Sequence, residues 1–529
     1  MDTLTASQSL IWFQPELALV ATIVAVFLVD LVVAGRAWRE IPAAVVSALG
    51  LALVAVLSWQ QWSAGTQSIF QGMAAVDPFA VFFKLLIAAA TLSALIFLFR
   101  SNEMIGDASG EAYALVLVMA LCGMLLASAN NLLMVYLALE GVSIASYVLA
   151  GYSRRNPRAS EAALKYVIYG GVASGVMLFG LSYLYGVTGT LDLTLMRERL
   201  SSLASASTGP ATAFNGVLLV AAAFVIVGIG YKVAAVPFHM WCPDVYEGAP
   251  TPIAALFSVV PKAAGLAVLI RFFYVGLSYG TSGGEFIAIQ SLPWVALFGI
   301  VAAATMTVGN FAACWQTNLK RLLAYSSIAH VGYALMGFVV LGESGLSALL
   351  YYLAIYAVMN LGAFFCVVAV RNATGSEDLD GVRGLGTRDP LTAAAFTVFL
   401  LSLVGLPPFA GFVGKYFLFA AVLERAGAWY DALVVVAAVN TAVSLFFYAK
   451  ILKAMYLTKA VDPLPIRVPG GQLLAVLVFA AITLVLGFWA PGISRVKGAA
   501  DGALVFVGYG YRDAQVASLA DCPGRDRNP

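Results

Sequence analysis

Apolar residues fall in runs of roughly twenty, separated by short polar breaks, along nearly the whole chain, and each run is long enough to cross a bilayer as a helix. The runs predict spans near 11–34, 42–60, 76–99, 112–128, 130–151, 160–186, 214–241, 250–274, 291–313, 320–340, 345–371, 391–424, 428–457 and 470–490. The pattern therefore predicts an all-α polytopic membrane protein of about fourteen transmembrane helices. Two runs, 214–241 and 391–424, exceed the usual length, and proline interrupts both: Pro237 in "VAAVPFHMW", Pro407 and Pro408 in "VGLPPFAGFVGK". Interrupted runs in corresponding places point to two inverted repeats, each with a broken helix. A second echo, "SIASYVLAGY" (143–152) against "SIAHVGYALMGF" (327–338), places five-helix units at spans 4–8 and 9–13.

Composition agrees. Of 529 residues 62% are hydrophobic and 11% charged, where a soluble protein carries about 25% charged. Positive charge is one-sided. Loops after odd-numbered spans hold Arg36, Arg39, Arg100, Arg154, Arg155, Arg158, Lys320, Arg321, Arg371, Arg383, Arg388, Lys459 and Arg467; those after even-numbered spans hold mainly Arg197, Arg199 and Arg425. This predicts odd-to-even loops in the cytoplasm and both termini on the periplasmic side. The first run lacks the basic n-region of a cleaved signal and reads as a retained span. Five Cys (Cys122, Cys242, Cys314, Cys366, Cys522) show no ligand spacing, and with two His a bound metal or haem is not expected. Gly228 and Gly230 sit mid-span, and no phosphate-binding loop pattern or support for nucleic-acid binding is present. "GVASG" (171–175) reads as close helix packing, "NAT" at Asn372 as a chance sequon in a cytoplasmic loop, and 491–529 as an extramembrane tail.

The chemistry lies in ionisable groups within spans: Glu140, Lys165, Lys232, His239, Lys262, His330 and Lys415. A charged side chain at bilayer depth costs about 2.5–3.5 kcal/mol or more, so pairing or function is the default expectation. Simpler readings stand beside this one. Lys165 can snorkel from near a helix end, His330 can bond a carbonyl, and Lys84 can snorkel or contact a partner. Glu140, Lys232, Lys262 and Lys415 can form static pairs, yet one acid cannot pair three bases. A buried Lys without a full-time partner exchanges its proton near neutral pH, and helix breaks beside Lys232 and Lys415 leave backbone groups for water or protein to satisfy. Lys, His and water at that depth make a proton wire.

At these residues "KVAAVPFHMWCPDVYEGAPTPIAALFSVVPKAAG" (232–265), "NLKRLLAYSSIAHVGYALMG" (318–337) and "LSLVGLPPFAGFVGKYFLF" (401–419) resemble the antiporter-like subunits of respiratory complex I, closest to the subunit N (ND2-type) branch. The resemblance covers about 119–456 and implies N-terminal helices over 1–111, a first repeat over 112–274, an inverted repeat over 291–457 and a closing helix at 470–490. It implies proton translocation coupled to quinone reduction in NADH:quinone oxidoreductase, in a bacterial inner membrane. It also implies membrane partner subunits, with FMN, Fe–S clusters and quinone bound by partners and no cofactor held by this chain. Residue by residue, Glu140 and Lys165 match an acid–lysine pair in the uptake half. Lys232 matches the lysine of the first broken helix, and His239 with Lys262 a connecting relay. Lys415 matches the lysine of the second broken helix in the release half, with His330 between. Related multisubunit Na⁺/H⁺ antiporters and complex I relatives that take electrons from ferredoxin or another donor share this architecture.

Overall fold

A computed structural model describes residues 4–504 apart from 35, 37, 100, 102, 104–109, 154–155, 207–211, 281–285, 290–292, 461–463 and 467. Arg100, Arg154, Arg155, Arg467 and Cys522, and the tail beyond 504, lie outside the described residues. The helices are α1 (Ala6–Trp12), α2 (Gln14–Val32), α3 (Glu40–Gln61), α4 (Pro78–Leu98), α5 (Gly110–Ser128), α6 (Leu132–Ala150), α7 (Pro157–Thr188) and α8 (Leu193–Ala206). They continue with α9 (Thr212–Val233), α10 (Trp241–Gly248), α11 (Thr251–Ile270), α12 (Trp294–Cys314), α13 (Leu319–Phe338) and α14 (Glu343–Thr374). The last are α15 (Leu385–Arg388), α16 (Pro390–Val404), α17 (Ala410–Leu423), α18 (Ala428–Leu457), α19 (Gly470–Phe488) and α20 (Ala490–Gly502). Two hairpins, Gln67–Ile69 with Ala74–Val76 and Ser278–Gly280 with Phe286–Ala288, close loops on one face.

Among the described residues twelve helices are long and apolar enough to cross a membrane. The less apolar α13 and the half-helices α16 and α17 occupy the remaining expected positions. Helix starts follow capping chemistry written in the sequence: Asp77-Pro78, Asn156-Pro157 and Asp389-Pro390 each place an oxygen on a free backbone N–H, ahead of a proline in the first turn.

α11 is the axis, buried along its full length. Its start is tied to α13, where Lys320 Nζ donates to the Ala249 carbonyl at 2.8 Å. A π-helical turn at its end (Arg271–Val275) carries Arg271, whose guanidinium grips the Asp77 carboxylate at 2.8 and 2.9 Å and donates to the Ala127 carbonyl at 3.0 Å. These two ends define an α10 face and an Arg271 face, about 30 Å apart by helix rise.

One closure occurs on each face. Asn131 caps α6 and bridges Asp192, just beyond the 32-residue α7; Asn318 caps α13 and bridges Asp378, just beyond the 32-residue α14. The flanking backbone bonds match: Leu132 N–H to Leu191 O and Leu319 N–H to Glu377 O, both 2.8 Å. Gly189 and Gly375 end the two long helices in the left-handed region. In the register these caps set, the 143–152 and 327–338 echo lies about one helical turn out of step.

Both long runs are broken at their prolines as expected: α9 ends at Val233 and α10 starts at Trp241, and 391–424 divides into α16 and α17. Several other expectations change. Lys84 does not snorkel. It is 1% exposed and pairs with Glu16 at 2.6 Å, so the desolvated charge is met inside the N-terminal helices. Part of the tail folds as α20 and docks on α14, where Lys497 Nζ donates to Ser347 at 2.5 Å and pairs with Asp501 at 2.7 Å. Gly171 and Gly175 face open space rather than a packed neighbour. Asn372 lies in the last turn of α14, not in a loop. Cys242 and Cys366 are buried free thiols; Cys122 and Cys314 are partly buried.

The Arg271–Asp77 pair is fully buried. Removing one partner strands the other charge, so Asp77→Ala should lower unfolding free energy by about 3–5 kcal/mol, read as a drop in thermal unfolding midpoint in detergent. On the α10 face, Glu377 lies outside the spans. Burial alone pushes its carboxyl up, but Lys320 at 3.0 Å and Arg371 at 3.0 Å outweigh it and hold it below the usual value of 4.5. Its contribution is thus complete above pH 4.5 and is lost as pH falls through the lowered value. The unfolding midpoint should drop on acidification below that range, and Glu377→Gln should make the drop shallower.

Candidate proton-carrying row

Lys232 is the penultimate residue of α9 and wholly buried. Its Nζ donates to Ser143 Oγ of α6 at 3.0 Å. Glu140 lies about one turn from Ser143 on α6, and its Oε1 is buried with no hydrogen-bond partner among the described residues. Beyond α9 the chain breaks over 234–240, with Ala234 left-handed at φ +60°. Protein groups satisfy part of the break: Ala235 N–H donates to Gly230 O at 2.8 Å, and Val236 N–H to Thr305 Oγ1 at 3.0 Å. His239 sits in this break with Nδ1 buried and unpartnered among the described residues.

Lys262 lies near the middle of α11, 2% exposed, and donates to Ser327 Oγ of α13 at 2.6 Å. Tyr356 of α14 donates to the same oxygen at 2.7 Å. His330, one turn further along α13, shares a 2.5 Å hydrogen bond with the Tyr352 hydroxyl and lies 5.1 Å from the Tyr356 ring. Lys262, His330, Tyr352 and Tyr356 line a cavity of about 10 Å³, closed by apolar side chains, close to the space one water needs.

Lys415 stands after the second break, in α17. Its Nζ reaches back to the end of α16, donating to Val404 O at 2.8 Å and Leu403 O at 3.3 Å. Those carbonyls have no helical donor because α16 ends there. Gly405, at φ +88°, turns the chain so that the lysine stem fits; a Cβ there would lie 2.8 Å from Lys415 Cδ. The ammonium also sits 4.3 Å from the Tyr333 ring and donates to Thr441 at 3.4 Å, and Thr441 donates to the Tyr333 hydroxyl at 3.2 Å.

The structure therefore gathers Lys232 with Glu140 along α6, and Lys262 with His330 around the Ser327–Tyr356–Tyr352 hydroxyls. Tyr333 and Thr441 stand between His330 and Lys415. It does not join Lys165 to Glu140. Lys165 lies on the α10 face, paired with Asp244 and Glu161 at 2.7 Å each, in a mixed-charge vestibule of about 260 Å³ with Arg158, Glu247 and Arg321. One turn of helix near the membrane edge accounts for this, since the carboxylates of α10 are nearer than the interior. Sequence reading missed the hydroxyl partners. The aromatic spacing "YYLAIY" (351–356) held a signal, because Tyr352 and Tyr356 fall one helical turn apart.

Ser327 holds both Lys262 and Tyr356. Ser327→Ala leaves a buried ammonium short of an acceptor and should lower stability by about 1–3 kcal/mol. The Lys262→Met change on top should cost less than on the Ser327 background alone would suggest, a coupling a double-mutant cycle of unfolding midpoints measures.

Residues 129–444 match the family model described as "NADH:quinone oxidoreductase/Mrp antiporter, TM". NADH-quinone oxidoreductase subunit N of Anaeromyxobacter sp. (strain Fw109-5) is 46% identical over 490 residues, covering 91% of this chain and 94% of the relative. A chain of respiratory complex I from Thermus thermophilus superposes with a TM-score of 0.73 at 33% identity, over 90% of this chain and 97% of that one. A chain of the Mrp complex from Dietzia sp. DQ12-45-1b shares the fold, with a TM-score of 0.77 at 21% identity over 95% of this chain and 99% of that one.

Proposed function

The chain belongs to the NADH:quinone oxidoreductase/Mrp antiporter transmembrane family, and from that premise we propose that it is the proton-translocating subunit N of a complex I. Electron transfer and quinone reduction then take place on partner subunits, and this chain carries protons between two faces of a bacterial inner membrane, with both termini on the periplasmic side. The twin closures on opposite faces support reading α5–α11 and α12–α18 as inverted units.

One observation carries the proposal. Lys232, Lys262 and Lys415 are buried, and among the described residues each is bonded to hydroxyls or carbonyls and to no carboxylate. An ammonium so placed is charged at a cost and can give its proton up, whereas one locked to a carboxylate cannot. The chemistry is a relay. Lys232 loads a proton with Glu140 nearby to favour the charged form, and His239, in the adjoining break, serves as the step toward Lys262. Ser327, Tyr356 and His330 link Lys262 to the second half, and Lys415 holds the proton against the α16 carbonyls until it leaves.

The test uses the assembled complex in inverted membrane vesicles, measuring protons taken up per NADH oxidised. Lys232→Ala should lower that ratio. Lys232→Arg should lower it too, because a guanidinium keeps its charge but does not release its proton. A full ratio in Lys232→Arg would show a static pair and overturn the relay. Sodium-dependent proton exchange without NADH or quinone would instead mark a stand-alone antiporter.

A further inference from the structure

Leu86 of α4 lines two cavities. One is the central space of about 10 Å³ shared with Lys262, His330, Tyr352 and Tyr356. The other is a groove of about 460 Å³ under α20, bounded by Trp59 and Trp62 at the end of α3, Leu85 and Leu86 of α4, Ala354 of α14 and Gly498 of α20. No charged side chain lines the groove. It reaches the surface, since Trp59 is 65% exposed and a Cβ on Gly498 would meet nothing within 4 Å. At Leu86 the wall between the proton row and that open groove is one side chain thick.

Chain register sets the depth of this leucine. Asp77, at the start of α4, is bonded to Arg271, at the end of α11, at 2.8 Å. Leu86 lies nine residues after Asp77 and Lys262 nine residues before Arg271, so both stand about 13 Å in from the Arg271 face. On α14, Leu353 lines the central cavity alone and Ala354 the groove alone, whereas Leu86 lines both. The central cavity is polar, and its space is already close to that of one water. Joined to the groove it would hydrate from the surface, and an exchangeable ammonium in contact with that water would lose its proton outside the row.

We propose that Leu86 is the seal that keeps the Lys262–His330 centre apart from the groove under α20, so that protons leave this centre only along the row. The seal rests on the proton-carrying role of Lys262. Leu86 insulates and transfers nothing itself, so its removal opens a bypass instead of stopping transfer. In that bypass the Lys262 ammonium gives its proton to groove water. A neutral amine remains, and a hydronium ion moves out to the Arg271 face. The reverse transfer lets an established gradient run back.

Inverted vesicles holding the assembled complex test the seal through decay of the proton gradient once NADH is exhausted. Leu86→Ala should speed that decay about tenfold, the factor that ~1.4 kcal/mol off a transfer barrier gives. NADH oxidation should continue while fewer protons are taken up per NADH. Leu86→Thr, which loses less volume, should leak in the same direction and reads the seal if the alanine variant fails to assemble. Wild-type decay in these variants overturns the proposal. Leu85→Ala is the packing control, because Leu85 lines the groove alone. It should stay tight, and a leak equal to that of Leu86→Ala would reduce Leu86 to packing. Gly498→Phe, which fills the groove from α20, should restore coupling to Leu86→Ala; a leak that persists in the pair sinks the proposal. Lys262→Met separates the two claims. Normal NADH-driven uptake in that variant alone refutes the relay, while a leak that survives Lys262→Met in the Leu86→Ala background refutes the seal.

Discussion

An ammonium group buried without a carboxylate is the constraint around which this fold is organised. Lys232, Lys262 and Lys415 each meet it with oxygens of modest strength: a serine hydroxyl twice, and the open carbonyls of a helix end once. Those oxygens exist where they do because helices are broken or closely paired. The second break frees Val404 and Leu403 for Lys415, and α13 packs against α11 so that Ser327 reaches Lys262. A straight α16–α17 helix would bond those carbonyls internally and leave Lys415 with no acceptor from the backbone.

The same protein shows what it does with charges meant to stay. Arg271 and Asp77 bond bidentately, and Lys84 meets Glu16 at 2.6 Å, both pairs at 1% exposure or less. These pairs join helix ends at the Arg271 face or hold the N-terminal helices together. Desolvating a pair is expensive, and its separation more so, which makes such pairs fasteners. The lysines of the row sit at similar depth with neutral partners. The contrast within one chain, carboxylate-locked pairs outside the row and lysines with neutral partners inside it, is the physical ground for the transfer role proposed above.

Much of this was legible in the sequence, and the limits have physical causes. Span positions followed from hydropathy because lipid demands about twenty apolar residues per crossing. The breaks followed from Pro237, Pro407 and Pro408, and the buried lysines from their rarity at that depth. Partners were not legible where they come from distant helices. The resemblance pairs Lys165 with Glu140, but Asp244, far along the chain and across the first break, holds it. Lys84 reads as snorkelling or meeting a partner because its acid, Glu16, lies on the distant α2. α20 carries too few apolar residues to register as a span, and its packing, chiefly on α14, reveals it. Gly170 and its neighbour Gly171 are alike in sequence, yet one faces two hydroxyls and the other open space.

The two broken helices place their lysines differently along the chain and identically in field. Lys232 precedes its break, in the last turn of α9, whereas Lys415 follows its break and folds back to the last turn of α16. In both cases the ammonium lies at the carbonyl end of the leading half-helix, where the macrodipole is negative. α9 runs inward from the Arg271 face and α16 from the α10 face, so the two negative ends approach the middle from opposite sides. Lys262 and His330 occupy the interval between them. A positive charge is then stabilised by a helix end at either lysine and least so in the centre, where no helix terminus points at it. For the relay proposed above, that profile holds protons apart at the two lysines and makes the central pair its barrier.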